Sequence, residues 1–151
     1  MGVCHWICYF CDAEIAQKLL EDFDFDVNRI DINYQTGPFR MIRDNLNEKD
    51  IIDVLRLLIE HDFNINYVPM VENVLKQKTL LEFFVSFTKE RLKVVEFLLE
   101  NNADPDAPAF ISKGRYKTIR EYVQKKKGRA MNELFDRFPP LNQRGEQDKD
   151  T

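Results

Sequence analysis

Apolar positions along the chain fall into two strong helical stripes. Ile51, Leu55, Leu58 and Ile59 follow i, i+4, i+7, i+8 spacing and share one helix face, with Asp53, Arg56 and Glu60 between them. Val94, Val95, Leu98 and Leu99 build the same stripe further on, interleaved by Lys93, Glu96 and Glu100. Asn47 stands where an N-cap is wanted before the first of these helices. After each stripe the pattern changes to a short apolar/polar alternation. The segments are Phe63-Asn64-Ile65-Asn66 and Ala103-Asp104-Pro105-Asp106, and an earlier relative is Phe25-Asp26-Val27-Asn28. Each ends in turn-forming residues. Between helix and alternation stand Asp24, Asp62 and Asn102, where a left-handed residue is expected.

The two stripes are copies. Leu57 to Asn66 recurs 40 residues later as Phe97 to Asp106, and a weaker copy, Leu19 to Asn28, precedes it by 38. A shorter helix is expected before each long one, at Pro38 to Asp44, Leu80 to Phe87 and Ile119 to Gln124. Thr79-Leu80-Leu81-Glu82 matches Thr118-Ile119-Arg120-Glu121, both opening on a capping threonine. Pro38 suits a first helical turn, where its missing N–H costs nothing. The last long helix is expected from Arg129 to Phe138, with Ala130, Leu134, Phe135 and Phe138 inward and Pro139-Pro140 as the stop. Self-similarity at this period means like units, each too small to bury its apolar face alone.

This turn, short helix, long helix and protruding loop resemble the ankyrin repeat. Leu92 to Asp106, Ile52 to Glu60 and the two Thr-initiated turns carry the resemblance, which covers about residues 12–138. It implies an all-α, ankyrin-like solenoid of stacked helix-turn-helix repeats with long loops. The expected organisation is one domain over 1–140, with an N-terminal capping helix at about 3–23. Repeats follow at about 24–63, 64–102 and 103–138, then a polar tail at 141–151. The family period is about 33 residues, so the additional residues here belong in loops at 67–78 and 107–117. The proline and histidine of the family's usual turn are absent from both good copies.

Composition changes little. A hydrophobic fraction of 44% with 32% charged residues fits a folded domain, and no apolar run reaches the roughly 18 residues of a membrane span. Met1 onward lacks the basic start of a secretory signal, so a cytoplasmic protein is expected. The net charge of −4 is uneven: residues 12–31 hold seven acidic and two basic side chains, and residues 111–129 hold eight basic and one acidic. We read the basic stretch as a solvated helical face and not as a nucleic-acid surface.

Cys4, Cys8 and Cys11 supply the one chemically suggestive cluster. Their C-x3-C-x2-C spacing resembles the cluster loop of radical S-adenosylmethionine enzymes, and with His5 the ligand types would also suit zinc. No strand is expected before Cys4 and the remainder reads as helices. The expectation is therefore a structural first helix with Trp6, Ile7, Phe10 and Cys11 inward, and no metal. His61, close to a helix end, is expected to interact with the last carbonyls. No catalytic residue and no cofactor is expected; the chain reads as a protein-binding module, a monomer or a member of a hetero-complex, with no membrane partner. The expected contact residues are Tyr34, Tyr67, Met70, Phe110, Arg115 and Tyr116 from the loops, and Arg40, Glu82 and Arg120 from the short helices. Aromatics and arginines dominate interface energies. The alternatives are a dedicated inhibitor, such as an immunity protein that blocks a toxin or enzyme, and an iron–sulfur or zinc protein built on the three cysteines.

Overall fold

A computed structural model describes residues 2–69, 78–110 and 115–147. Among them the regular structure is helical, and the β pairing is a lone bridge between Pro108 and Thr118. The chain divides into two units, residues 1–80 and 81–151.

The first unit opens with α1 (Val3–Phe10) and α2 (Ala13–Asp22). A single helix over 3–23 was expected, and two are found. Cys11 adopts a left-handed conformation (φ 54°) that ends α1, and the Asp12 carboxylate then accepts from the N–H groups of Glu14 (3.0 Å) and Ile15 (3.1 Å) to start α2. The expected inward face of α1 is also corrected. Cys4, His5, Ile7 and Cys8 are buried, whereas Trp6 and Phe10 are exposed. A 3₁₀ turn (Gly37–Arg40) with Pro38 in its first turn replaces the short helix expected over 38–44 and packs on α1. Gly37 is required there: a Cβ on it would lie 2.8 Å from Cys4 Sγ and 2.9 Å from the Cys4 carbonyl oxygen. Then comes α3 (Glu48–Glu60), capped by Asn47 through the Asp50 N–H (2.8 Å) and packed on α2. Ile51, Val54, Leu55 and Leu58 are fully buried, as the stripe requires, and Ile59 lies at its edge.

The second unit comprises α4 (Leu80–Val85, starting at the boundary), α5 (Leu92–Glu100), α6 (Ile119–Lys126), α7 (Arg129–Asp136) and α8 (Leu141–Gln147). Val94, Val95, Leu98 and Leu99 are fully buried, together with Ile119, Val123 and Met131. Thr118 caps α6 through the Glu121 N–H (3.1 Å). In α7 Met131, and not the expected Ala130, turns inward beside Leu134 and Phe135; Ala130 is exposed and Phe138 half-buried. The expected polar tail at 141–151 carries α8 in part of its length. Arg144 anchors it, donating to the carbonyls of Pro139 (2.8 Å) and Leu99 (3.1 Å) and lying over the Phe138 ring.

The repeat is visible in backbone detail. At the end of α3, Asp62 is left-handed (φ 68°), and the N–H groups of His61, Asp62 and Phe63 reach the carbonyls of Leu58, Ile59 and Leu58. At the end of α5, Asn102 is left-handed (φ 67°), and Asn101, Asn102 and Ala103 reach Leu98, Leu99 and Leu98 in the same pattern. His61 also bonds the Leu57 carbonyl through Nδ1 (2.9 Å). Asp24 does not repeat the cap, because Phe23 leaves α2 in an extended conformation (φ −128°). Beyond the helices the same side-chain turn occurs three times. Asp26, Asn64 and Asp104 each accept, through Oδ1, the N–H two residues on, at 2.8, 3.1 and 2.9 Å.

Candidate functional site

In the first unit the loop after α2 rises into a finger at Asp31–Gln35. Asp31 builds it. Its Oδ1 accepts from the N–H groups of Asn33 (2.8 Å) and Gln35 (3.2 Å), and its carbonyl accepts from the Tyr34 N–H (3.0 Å). The Asp31 N–H donates back to the Gln35 carbonyl at 2.9 Å. Tyr34 takes a left-handed conformation (φ 59°), uncommon for a bulky side chain. Two groups brace the base from outside the loop. Arg40 donates to Asp31 Oδ2, and His5, fully buried in α1, donates from Nε2 to the Gln35 carbonyl at 2.9 Å. This acceptor fixes the His5 tautomer with its proton on Nε2.

The Asp31 side chain is 1% exposed. Burial works against its charge, but the Gln35 N–H, the Arg40 guanidinium and the Asn33 N–H outweigh it and hold the carboxyl below its ordinary value. At the apex, Ile32 is 89% exposed, with Asn33 exposed beside it. A hydrogen-bonded loop thus presents a bare isoleucine to solvent.

The remaining expected contact residues divide by role. Arg40 is the brace of Asp31. Tyr67 and Phe110 are half-buried, Arg115 is exposed, and Met70 lies outside the described residues, as do most of 67–78 and part of 107–117. Glu82 and Tyr116 belong to the interior, which corrects their reading as contact residues. Glu82 is fully buried, and both its carboxylate oxygens accept from the Phe110 N–H, at 2.7 and 3.0 Å. Tyr116 is 7% exposed and meets Tyr122 edge-on, 5.6 Å between ring centres. Burial, then Tyr116 and Glu82, raises the Tyr122 phenol above its ordinary value. Arg120 is likewise architectural. Its guanidinium holds Asp106 through two bonds (2.8 and 3.1 Å) and donates to the carbonyls of Phe135 (2.9 Å) and Phe138 (2.7 Å).

Cys4, Cys8 and Cys11 are free and buried, and burial raises the Cys8 thiol well above its ordinary value, with Cys4 and Cys11 adding to the effect. A raised thiol holds little thiolate at neutral pH and is a weak nucleophile. Among the described residues no group of three His, Cys, Asp or Glu side chains is arranged to hold a metal ion. Nor is any helix among them long and apolar enough to cross a membrane.

Sequence reasoning missed Ile32. The turn-forming Asp31 and Asn33 on either side of it were the available signal. No protein-family model, curated protein or solved structure matches this chain.

Proposed function

We propose that the chain is an ankyrin-like protein-binding module, acting by capture and not by catalysis, with the Asp31–Gln35 finger as its principal anchor. The observation that carries this reading is Ile32, 89% exposed on a loop whose backbone is fixed by Asp31, Arg40 and His5. A large apolar side chain held in place inserts into a partner pocket with little further loss of conformational freedom. The ankyrin-like part of the reading is supported by the recurrent caps at Asp62 and Asn102 and the three side-chain turns at Asp26, Asn64 and Asp104. Tyr34, in the finger itself, is the natural flanking contact.

The test is affinity capture of the tagged chain with mass spectrometry, run beside Ile32→Glu. A partner retained by the wild type should be lost from the variant, while circular dichroism and the melting temperature stay unchanged. Recovery of the same partners in the same amounts by Ile32→Glu would remove the finger from the binding surface.

A further inference from the structure

A second apolar surface lies on the first helix pair, away from the finger's own residues. Trp6, Ile7 and Phe10 of α1 and Asp12, Ile15 and Leu19 of α2 and its cap line a groove of about 390 Å³. Trp6, Phe10 and Ile15 are 46%, 56% and 54% exposed. Trp6 and Phe10 are stacked (5.7 Å between centres, 20° between planes), and Tyr9 meets both rings edge-on. The aromatic wall is thus already assembled. Contiguous apolar surface of this kind marks an interaction site.

Charge selects the occupant. At about 100° per residue, Asp22 falls roughly 20° around α2 from Ile15, and Asp12 stands at the other end of the same stripe. Both are exposed, as are Glu14 and Glu21; Lys18 is the one basic side chain of α1 and α2. Arg43 lies over the Tyr9 ring and donates to the Phe10 carbonyl. The groove is therefore an apolar floor with Asp12 in its lining, on a helix that also exposes Glu14, Glu21 and Asp22. A second copy fits it poorly. An antiparallel pairing that sets Ile15 against Leu19 of the other copy also sets Asp12 against its Asp22. A parallel pairing sets each carboxylate against its own counterpart. Like charges placed opposite one another are destabilising.

We propose that this groove docks a basic amphipathic α-helix of a partner protein, with apolar residues at i, i+3 or i+4 and i+7 on the floor and Lys or Arg reaching Asp12 and Asp22. The ten residues of α2 run about 15 Å, which matches roughly three turns of such a helix. The site goes beyond the finger reading and does not depend on it.

Trp6 is the one tryptophan of the sequence, so its emission reports this groove directly. The probe is a tryptophan-free, 14-residue Leu/Lys amphipathic peptide titrated into the full chain, with a Leu/Glu peptide of the same apolar pattern as its counterpart. The Leu/Lys peptide should shift Trp6 emission to the blue in a saturable way. Half-saturation should weaken at least tenfold in Ile15→Glu, and more modestly in Asp22→Lys or at high salt. Both substituted side chains are exposed, so the fold should tolerate the changes. Three outcomes would overturn the proposal: equal binding of the Leu/Glu peptide, no shift from the Leu/Lys peptide up to about 1 mM, or a dimer by light scattering, without peptide, that Ile15→Glu dissociates. The last would make a second copy the occupant.

Discussion

Two buried carboxylates do the same job in the two units and lead to opposite structural consequences. Asp31 organises its own loop, gathering N–H groups two and four residues away, and the structure it fixes ends in a bare Ile32. Glu82 reaches from α4 across 28 residues of sequence to hold the Phe110 N–H, and its surroundings are interior. Both spend a carboxylate on backbone N–H donors of a loop. The difference is range. A local carboxylate shapes a tip that remains in solvent, and a distant one draws a loop base inward. Loop position alone therefore does not make a residue a contact residue. Arg115 is exposed, whereas the adjacent Tyr116 is packed against Tyr122.

The largest expected effect separates those two neighbours. Tyr116→Ala should destabilise folding by about 3 kcal/mol, the low end for truncating a buried aromatic. Arg115→Ala should stay within about 0.5 kcal/mol of wild type, as surface changes do. Urea denaturation followed by circular dichroism measures both. Equal midpoints would mean that the base of the 107–117 loop contributes nothing to the fold. Glu82→Ala comes next. It removes both oxygens from the Phe110 N–H in a buried setting, and a cost of about 2–3 kcal/mol is expected. Glu82→Gln keeps one acceptor oxygen and should recover part of that loss; no recovery would show that the charge, and not the hydrogen bond, matters.

The long helices were legible because each carries its own answer. The stripe from Ile51 to Ile59 and the quartet Val94, Val95, Leu98 and Leu99 depend on helical spacing alone, and Asn47, Thr118, Asn64 and Asp104 act on N–H groups two or three residues away. What was not legible depends on residues far apart in sequence. Gly37 packs on Cys4, and His5 bonds Gln35. Those two contacts fix which side of α1 turns inward, and so leave Trp6 and Phe10 outside. The Cys11 break had a local signal in the capping Asp12, but the apolar run across it looked like one continuous helix. Glu82 looked like a surface residue of an amphipathic helix, since its partner is 28 residues away.

The Asp31 network makes the comparison pH-dependent. Its carboxyl is held below the ordinary value, so its contribution is fully present above the unfolded-state pKa of about 3.9 and is lost as pH falls through the lower folded-state value. Asp31→Asn should therefore be less stable than wild type at neutral pH, by about 1 kcal/mol, and the gap should narrow as the pH is lowered past that range. Chemical denaturation at a series of pH values measures the gap. A constant gap down to the most acidic sample would mean that Asp31 acts through shape and not through charge.

The smallest expected effect concerns Tyr34, and it separates the finger's stability from its use. A left-handed conformation costs an ordinary L-residue about 1–2 kcal/mol, and asparagine adopts it more readily. The Tyr34 ring is half-exposed, so its removal forfeits part of its packing. Tyr34→Asn should therefore raise folding stability slightly, by about 0.5 kcal/mol, seen as a small upward shift of the melting temperature. If the ring flanks Ile32 in the bound complex, the same substitution should weaken partner binding. A more stable, weaker-binding variant would show that the strain at Tyr34 is kept for recognition. A less stable one would show that the ring's packing outweighs the strain, and the finger would then owe its form to Tyr34 as much as to Asp31.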